Sequence, residues 1–151
     1  MNESLRNLAD GARLVVHKTS PAEIAELLAV ADRDLADCES NELSSGNLLS
    51  IAYSAALVCA KIALAAVGYR AGHQSAHYWT VQSLRYTLGL DRMLVEQLNA
   101  FRKKRNVSDY ERVGAVTEGE ASEMLQLAKL LRSKTEQWLR STYPYLLASG
   151  D

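Results

Sequence analysis

Proline is almost absent from this chain, and that limits its fold more than any other feature of the sequence. Two of the 151 residues are proline, Pro21 and Pro144, so residues 22–143 contain none. Because proline breaks or kinks a helix interior, this stretch permits several uninterrupted helices. Alanine and leucine outnumber isoleucine, valine and threonine by more than two to one, which favours helix over strand. We therefore predict an all-α fold, a single compact bundle of about five helices separated at clustered glycines.

Capping residues and apolar stripes locate these helices. Ser20 and Pro21 mark the start of the first helix, with Glu23 in the position of a capping box. The second helix, from about Leu48 to Val67, is apolar almost all round, which is typical of a helix at the centre of a bundle. The other three are predicted at about residues 74–88, from residue 91 onward, and from a capping box at residues 117–120 to about residue 143.

These boundaries divide the chain into a bundle at residues 20–146, an N-terminal arm or short helix at residues 1–19, and a tail at residues 147–151. The hydrophobic content of 48% excludes a disordered chain, and two cysteines exclude a disulfide scaffold. The N-terminal residues show no secretory signal pattern. Lys61 interrupts the most apolar stretch, residues 51–69, which favours a core helix over a membrane span. We expect a cytoplasmic protein with reduced thiols and no membrane partner.

Charge is polarised along the chain although the net charge is only -1. Residues 99–112 carry five basic and two acidic side chains, whereas residues 22–42 carry seven acidic and one basic. The basic run is consistent with a solvated helix end, where cations match the helix dipole. It is also consistent with a phosphate site. That site would consist of Arg102, Lys103, Lys104 and Arg105. Lys61 would join it if this lysine entered a basic cleft. For Lys61 we prefer the interpretation that its side chain reaches solvent.

Three segments in this order resemble the HEPN domain family over about residues 20–143. The first is residues 52–57 continuing to Ala60-Lys61 and residues 64–66. The second is residues 68–70, followed by His73. The third is residues 102–106, leading into Ser108-Asp109-Tyr110. The resemblance implies a four-helix up-and-down core and a homodimer. It also implies one of two functions: many such proteins are metal-independent ribonucleases, often toxins paired with a nucleotidyltransferase-type antitoxin, whereas others bind RNA, nucleotides or proteins without catalysis.

The catalytic motif of the nuclease members is altered in this chain. In those members an arginine, often followed by a polar residue, precedes a histidine by five positions. Arg105 and Asn106 match the start of the motif, but Tyr110 stands in the histidine position. A tyrosine with an ordinary pKa of about 10 is a poor base near neutral pH. We therefore expect a non-catalytic module, in a toxin–antitoxin or defence context, that binds RNA, a nucleotide or a protein partner through residues 102–110.

Two alternatives remain at this stage. One is an active ribonuclease in which Arg105 and Asn106 act together with Asp109 or Tyr110. The other is a purely structural homo-oligomeric bundle, in which Arg105 and Asp109 form an ordinary ion pair along one helix. His73 and His77 have a spacing that can serve a metal, but no Cys or His cluster completes a site. We expect neither a metal nor a cofactor.

Overall fold

The computed structural model describes residues 3–110 and 115–150, with side chains described for residues 4–106 and 115–147. Within these ranges the chain is an all-α bundle, as predicted, with two short strands added. The helices are α1 (Glu3–Asp10), α2 (Pro21–Asp37), α3 (Ser45–Ala66), α4 (Ala76–Thr87), α5 (Arg92–Tyr110) and α6 (Glu118–Thr142), followed by a 3-10 helix at Pro144–Gly150. The strands are β1 (Leu14–Val16) and β2 (Tyr69–Ala71).

The predicted helix starts are confirmed by their caps. The Ser20 hydroxyl accepts a hydrogen bond from the backbone N–H of Glu23 at 3.1 Å, and the capping box at Thr117 and Glu120 is complete. Asp91 Oδ1 accepts from the N–H of Met93 at 3.0 Å. Side-chain oxygens at these positions satisfy amides that have no partner inside the helix. The α3 helix begins three residues earlier than predicted because a further serine, Ser44, caps it.

The α3 helix is the centre of the bundle, as its nearly continuous apolar sequence predicts. It packs against α2, α4, α5 and α6, and its largest fully buried side chain is Tyr53. By length and composition α3 could also cross a membrane, but 67% of its apolar window is buried inside the protein. The helix ends just before Gly68, whose φ of +96° suits glycine. Burial by four helices explains why α3 needs no polar face.

The N-terminal segment completes the core through a short strand that the sequence analysis did not predict. β1 pairs antiparallel with β2, so that Leu14 lies opposite Ala71. Leu5 and Leu14 are buried against Leu64 of α3. The pairing continues at Gly72, where a Cβ atom would lie 2.7 Å from a backbone oxygen of the N-terminal segment. This close approach requires glycine and places β2 beside the start of α4.

Ion pairs join α2 to α6 on one side of the bundle. Arg132 donates to both carboxylate oxygens of Asp32, at 2.7 and 3.1 Å, and to Glu136 at 2.8 Å. Lys129 lies 3.5 Å from Glu39. Part of the acidic stretch at residues 22–42 is therefore paired with basic residues of α6 rather than facing solvent alone.

Candidate functional site

The basic run on α5 does not form one uniform patch, because its four side chains point in different directions. Arg102 is half-buried, donates from Nε to Asn99 Oδ1 at 2.9 Å, and holds its guanidinium carbon 5.5 Å from the ring centroid of Tyr78. The guanidinium carbon of Arg105 lies 5.4 Å from the ring centroid of Tyr53. Both distances are in the range of cation–π contacts. The two arginines therefore face inward, toward α3 and α4.

The two lysines of the run differ from the arginines and from each other. Lys104 lies 3.4 Å from Glu120 at the start of α6, so its charge is partly neutralised. Lys103 is exposed. The inward-facing part of the run is thus the arginine pair.

The charges of three cations on α3 and α5 act on one imidazole of α4, that of His77, which is partly exposed. Burial and the charges of Lys61, Arg105 and Arg102 all lower the pKa of His77. A pKa shift of this origin requires the three cations to lie within electrostatic reach of the same ring. We call Lys61, Arg102, Arg105 and His77 the cationic cluster. Its imidazole is neutral at pH 7, while its lysine and arginines carry positive charge.

The ring of Tyr53 lies beneath Arg105 of this cluster. Its side chain is fully buried, and burial raises its pKa to about 12, although Arg102 and Arg105 lower it in part. Its phenol oxygen has no hydrogen-bond partner among the residues that the structure describes. Tyr53 therefore stays protonated at every physiological pH, and its ring supports the guanidinium group of Arg105.

A cleft of about 360 Å³ adjoins the cationic cluster. It lies between α2, α3, β2 and α4, and it shares Lys61 and His77 with the cluster. Apolar side chains of α2 and α3 form part of its surface. The cleft residues are His17, Glu23, Leu27, Lys61, Leu64, Ala65, Tyr69, Arg70, Ala71, Ala76, His77 and Thr80.

Glu23 gives this cleft an acidic end. Glu23 Oε1 accepts a hydrogen bond from Thr19 Oγ1 at 2.6 Å and lies 2.8 Å from His17 Nε2. These contacts, the Thr19 bond first, hold the pKa of the Glu23 carboxyl below its usual range, so the group is ionised at neutral pH. The sequence placed Glu23 in a capping box, but its carboxylate instead ties the N-terminal segment to α2.

The structure brings together some of the predicted site residues and separates others. Arg102 and Arg105 both face inward from α5, and Lys61 lines the same cleft as His77. Lys61 is exposed, as expected for a lysine reaching solvent, and it also lines the cleft. Asn106 is exposed on α5. The side chains of Asp109 and Tyr110 lie outside the described residues, so their predicted roles stay predictions.

Sequence reasoning did not place His77 in this site. In the sequence, His77 shows only a four-residue spacing from His73, which can serve a metal. No feature of the neighbouring sequence indicates that a residue on α4 lies near arginines on α5. In the described parts of the chain, no three His, Cys, Asp or Glu side chains are arranged to hold a metal ion. Cations around His77 would also repel one.

The two thiols are not candidates for chemistry. Cys38 and Cys59 are both buried and unpaired with each other. Burial, followed by the charges of three nearby carboxylates, raises the pKa of Cys38, and burial raises the pKa of Cys59 to about 12. A thiol with a raised pKa holds little thiolate near neutral pH and is a poor nucleophile.

Comparisons of the chain with protein-family models, with curated proteins and with solved structures found no match. The chemistry of the cationic cluster and the cleft is therefore the basis for a functional proposal. Fixed positive charges beside aromatic rings favour an anion that also carries flat apolar groups. A neutral imidazole beside an arginine can also accept a proton during phosphoryl chemistry.

Proposed function

We propose that this protein is a non-catalytic, HEPN-like module that binds single-stranded RNA through the cationic cluster. The observation that carries this proposal is that Arg102 and Arg105 lie over the rings of Tyr78 and Tyr53, while Lys61 lines the same cleft as His77. Each phosphate of an RNA strand carries a negative charge, which lysine and arginine side chains can neutralise. Two acidic residues of the stretch at residues 22–42, Asp32 and Glu39, pair with Arg132 and Lys129 of α6 rather than with the cluster.

Aromatic side chains beside the cluster favour a single strand over a duplex. Tyr78 contacts Arg102, and the neighbouring Trp79 meets the Tyr78 ring edge-on at a centroid distance of 4.8 Å. Arg13 lies 4.5 Å from the ring centroid of Trp79. Both rings are half-buried, so part of each remains accessible. Unpaired bases stack on such rings, whereas paired bases are stacked inside a helix.

The resemblance to the HEPN family is consistent with the same surface. Its three segments lie on α3, on β2 with the residues after it, and on α5, and the cluster draws Lys61 from the first and both arginines from the third. On this proposal the protein is a cytoplasmic homodimer that presents one cluster from each copy, with a nucleotidyltransferase-type antitoxin as its partner in a defence system. Light scattering of the purified chain tests the dimer, and a monomeric mass would contradict it.

The RNA proposal is tested by fluorescence anisotropy with a labelled oligouridylate at low salt. The variant Arg102→Ala/Arg105→Ala should lose affinity, and its log–log salt slope should fall by about 1.4, since single strands release about 0.7 counterions per phosphate contacted. The matched control is Lys129→Ala/Lys134→Ala, which removes the same charge from α6, where both lysines are exposed and Lys129 lies beside Glu39. Equal losses in the two variants, or no binding by the wild type, would contradict the proposal.

A metal-independent ribonuclease is a second candidate, and one observation favours it. The nuclease motif lacks its histidine, yet the fold supplies an imidazole, His77, within electrostatic reach of Arg105. His77 would accept the proton of a ribose 2′-hydroxyl while the 2′-oxygen bonds to phosphorus and the bond from phosphorus to the 5′-oxygen breaks. The leaving 5′-oxygen would take a proton from water, and Arg105 would stabilise the negative charge on the phosphate oxygens. Asn106, Asp109 and Tyr110 would then position the substrate.

Incubation with a mixed RNA pool in excess chelator tests this second candidate. Cleavage that disappears in both Arg105→Ala and His77→Ala would establish the mechanism, and Tyr110→Phe would show whether the motif tyrosine contributes. Cleavage that survives Arg105→Ala would exclude the mechanism. If the wild type cleaves nothing, the binding function alone remains.

A further inference from the structure

The cleft between α2, α3, β2 and α4 has largely aliphatic walls. Each of the four elements contributes at least one of the five aliphatic side chains: Leu27, Leu64, Ala65, Ala71 and Ala76. Among the described residues that line the cleft, Tyr69 alone contributes a phenol ring. Such walls favour a flexible apolar chain over a flat ring, since a ring gains most from aromatic faces on which it can stack.

Several polar groups of the cleft already have partners within the protein. The Thr80 hydroxyl donates a hydrogen bond to the backbone carbonyl of Ala76 at 2.7 Å. Glu23 Oε1 accepts from Thr19 Oγ1 at 2.6 Å and lies 2.8 Å from His17 Nε2. These contacts fix the walls of the cleft, and the groups that make them are poorly placed to select a ligand.

Two cations of the cleft are in a different position. Lys61 and Arg70 both line it and both are exposed. In the described parts of the chain neither forms an ion pair. Arg70 donates from Nη1 to the backbone carbonyl of Ala71 at 3.4 Å, which leaves most of its five N–H donors for another acceptor. The mouth of the cleft therefore offers two cations to a ligand.

The charges that line the cleft sum to a positive balance. Lys61 and Arg70 are positive, and Glu23 is ionised at neutral pH because its hydrogen bonds lower its pKa. The neutral imidazole of His77 adds no charge, and a proton on His17, beside Glu23, would only increase the positive balance. One carboxylate is enough to neutralise the excess, and arginine binds a carboxylate through two parallel hydrogen bonds.

The size of the cleft limits the length of the apolar chain. Its volume of about 360 Å³ is at the lower end of the range for small-ligand sites. At about 30 Å³ for each group of the size of a water molecule, it has room for about twelve non-hydrogen atoms. That is the size of an aliphatic carboxylate with about eight to ten carbon atoms. A membrane phospholipid, with two longer chains, exceeds it.

We propose that the cleft binds a medium-chain aliphatic carboxylate, with its head group at Lys61 and Arg70 and its chain along the aliphatic walls. Both cations have flexible stems, so they can reach a head group at the mouth while the chain lies deeper. The site shares Lys61 with the cationic cluster but does not depend on RNA binding.

The first test compares octanoate with 1-octanol by isothermal titration calorimetry. Wild type should bind octanoate about fivefold more tightly, which is the difference expected of a partly exposed ion pair. From hexanoate to decanoate the affinity should rise by about twofold for each added methylene, because the open cleft buries only part of each group. Tetradecanoate should gain nothing over decanoate, since the cleft is then full. Equal binding of octanoate and 1-octanol, no binding of octanoate, or tighter binding of 4-phenylbutyrate than of octanoate would overturn the assignment.

A charge variant tests the head-group contacts. Lys61→Met/Arg70→Met keeps two apolar stems and should abolish the preference for octanoate, with 1-octanol affinity unchanged. The matched control is Arg33→Met/Lys134→Met, which removes the same charge from exposed positions of α2 and α6 outside the cleft. A preference that persists in the first variant, or is lost equally in the control, would contradict the proposal.

A size variant tests the aliphatic walls without changing any charge. Ala76 is half-buried at the start of α4 and lines the cleft, so Ala76→Leu should fill it. Octanoate and 1-octanol should both bind about tenfold more weakly, with circular dichroism establishing that the variant is folded. Unchanged octanoate affinity in the folded variant would show that the chain does not occupy this cleft.

The failure of this inference and the failure of the RNA proposal give different results. Octanoate binding by a protein that does not bind oligouridylate would support the carboxylate site and refute the RNA-binding cluster. Oligouridylate binding by a protein that ignores every carboxylate would refute the carboxylate site and leave the cluster standing.

Discussion

Two partly buried arginines on opposite sides of α3 have different surroundings. Arg132 of α6 is held by both oxygens of Asp32 and by Glu136. Arg102 of α5 is held by the amide oxygen of Asn99 and the ring of Tyr78. The partners of Arg132 are anions and cancel its charge, whereas the described partners of Arg102 are neutral and leave its charge in place. The first arginine joins two helices, and the second can attract a phosphate.

The pKa shifts of titratable groups on the two sides show the same difference. Hydrogen bonds from Arg132 and Arg140 lower the pKa of Glu136, which is the response of an anion beside cations. On the other side, burial lowers the pKa of His77, and the charges of Lys61, Arg105 and Arg102 lower it further. A protonated imidazole would add a positive charge near these cations, so its protonation is disfavoured. Among the described residues, the ion pairs of the α2–α6 side join opposite charges, whereas on the α3–α5 side three cations act on one imidazole.

The largest expected effect comes from reversing the charge of the two arginines of the cluster. Arg102→Glu/Arg105→Glu should weaken oligouridylate binding at low salt by about 100-fold, because two phosphate contacts are lost and replaced by repulsion. The measurement is fluorescence anisotropy. The charge-matched control, Lys129→Glu/Lys134→Glu on α6, should change affinity by less than about threefold, since neither lysine belongs to the cluster and salt screens exposed charges. Comparable losses in the two variants would mean that only net charge matters and that the cluster is not a site.

Arg132→Ala should show the converse pattern, with a loss of stability and no loss of binding. Removing the arginine breaks three charge-assisted hydrogen bonds and leaves Asp32 and Glu136 without their cation. We expect the free energy of unfolding to fall by about 2 kcal/mol. Urea denaturation measures this, with the exposed Lys134→Ala as a control expected within about 0.5 kcal/mol of wild type. A variant as stable as wild type would show that the α2–α6 ion pairs do not hold the bundle.

The features that the sequence predicted are those decided within one or two helical turns. The caps at Ser20 and Thr117 and the helix end at Gly68 each depend on neighbours in the chain. The central place of α3 also follows from its own apolar residues. The strand pairing of Leu14 with Ala71 was not predicted, because three-residue strands carry too little alternation to distinguish them from a loop.

The candidate site was only partly predictable for the same reason. The basic run identified Arg102 and Arg105, but the sequence gives no account of which side chains face them. How near these arginines lie to His77 depends on how α4 and α5 pack on α3, which is a tertiary property. The acidic end of the cleft likewise depends on Glu23 bonding to Thr19 and His17 rather than to its own helix end.

Binding should depend on pH through His77, with a smaller effect than charge reversal. Burial, followed by the charges of Lys61, Arg105 and Arg102, disfavours protonation of this ring in the free protein. Bound phosphates would neutralise those charges, so the complex would take up a proton that the free protein does not hold. Affinity for oligouridylate should therefore rise by roughly threefold as pH falls from about 8 to about 6. His77→Gln should flatten this dependence. A pH profile unchanged by His77→Gln would separate the imidazole from the binding surface.

The sign for folding is opposite to the sign for binding. Because the pKa of His77 in the folded protein lies below its usual value of 6.5, the unfolded chain binds the extra proton first on acidification. The contribution of His77 to stability is therefore present above about pH 6.5 and is lost as pH falls through the folded-state pKa. Thermal unfolding of wild type and His77→Gln at several pH values measures it, and a variant that loses as much stability as wild type on acidification would contradict this assignment.

The smallest expected effect is a gain in affinity from releasing a paired lysine. Glu120 accepts the Thr117 N–H with Oε1 at 2.9 Å and pairs with Lys104 through Oε2 at 3.4 Å. Glu120→Gln keeps an amide oxygen for the capping box but removes the negative charge beside the basic run. Lys104 would then add to the positive charge of α5, and oligouridylate affinity should rise about twofold, with a salt slope steeper by at most about 0.7.

Glu39→Gln is the matched control, since it releases Lys129 on the α2–α6 side and should leave affinity unchanged. A gain in both variants would show that binding follows net charge, whereas a gain in Glu120→Gln alone would place Lys104 at the edge of the RNA surface.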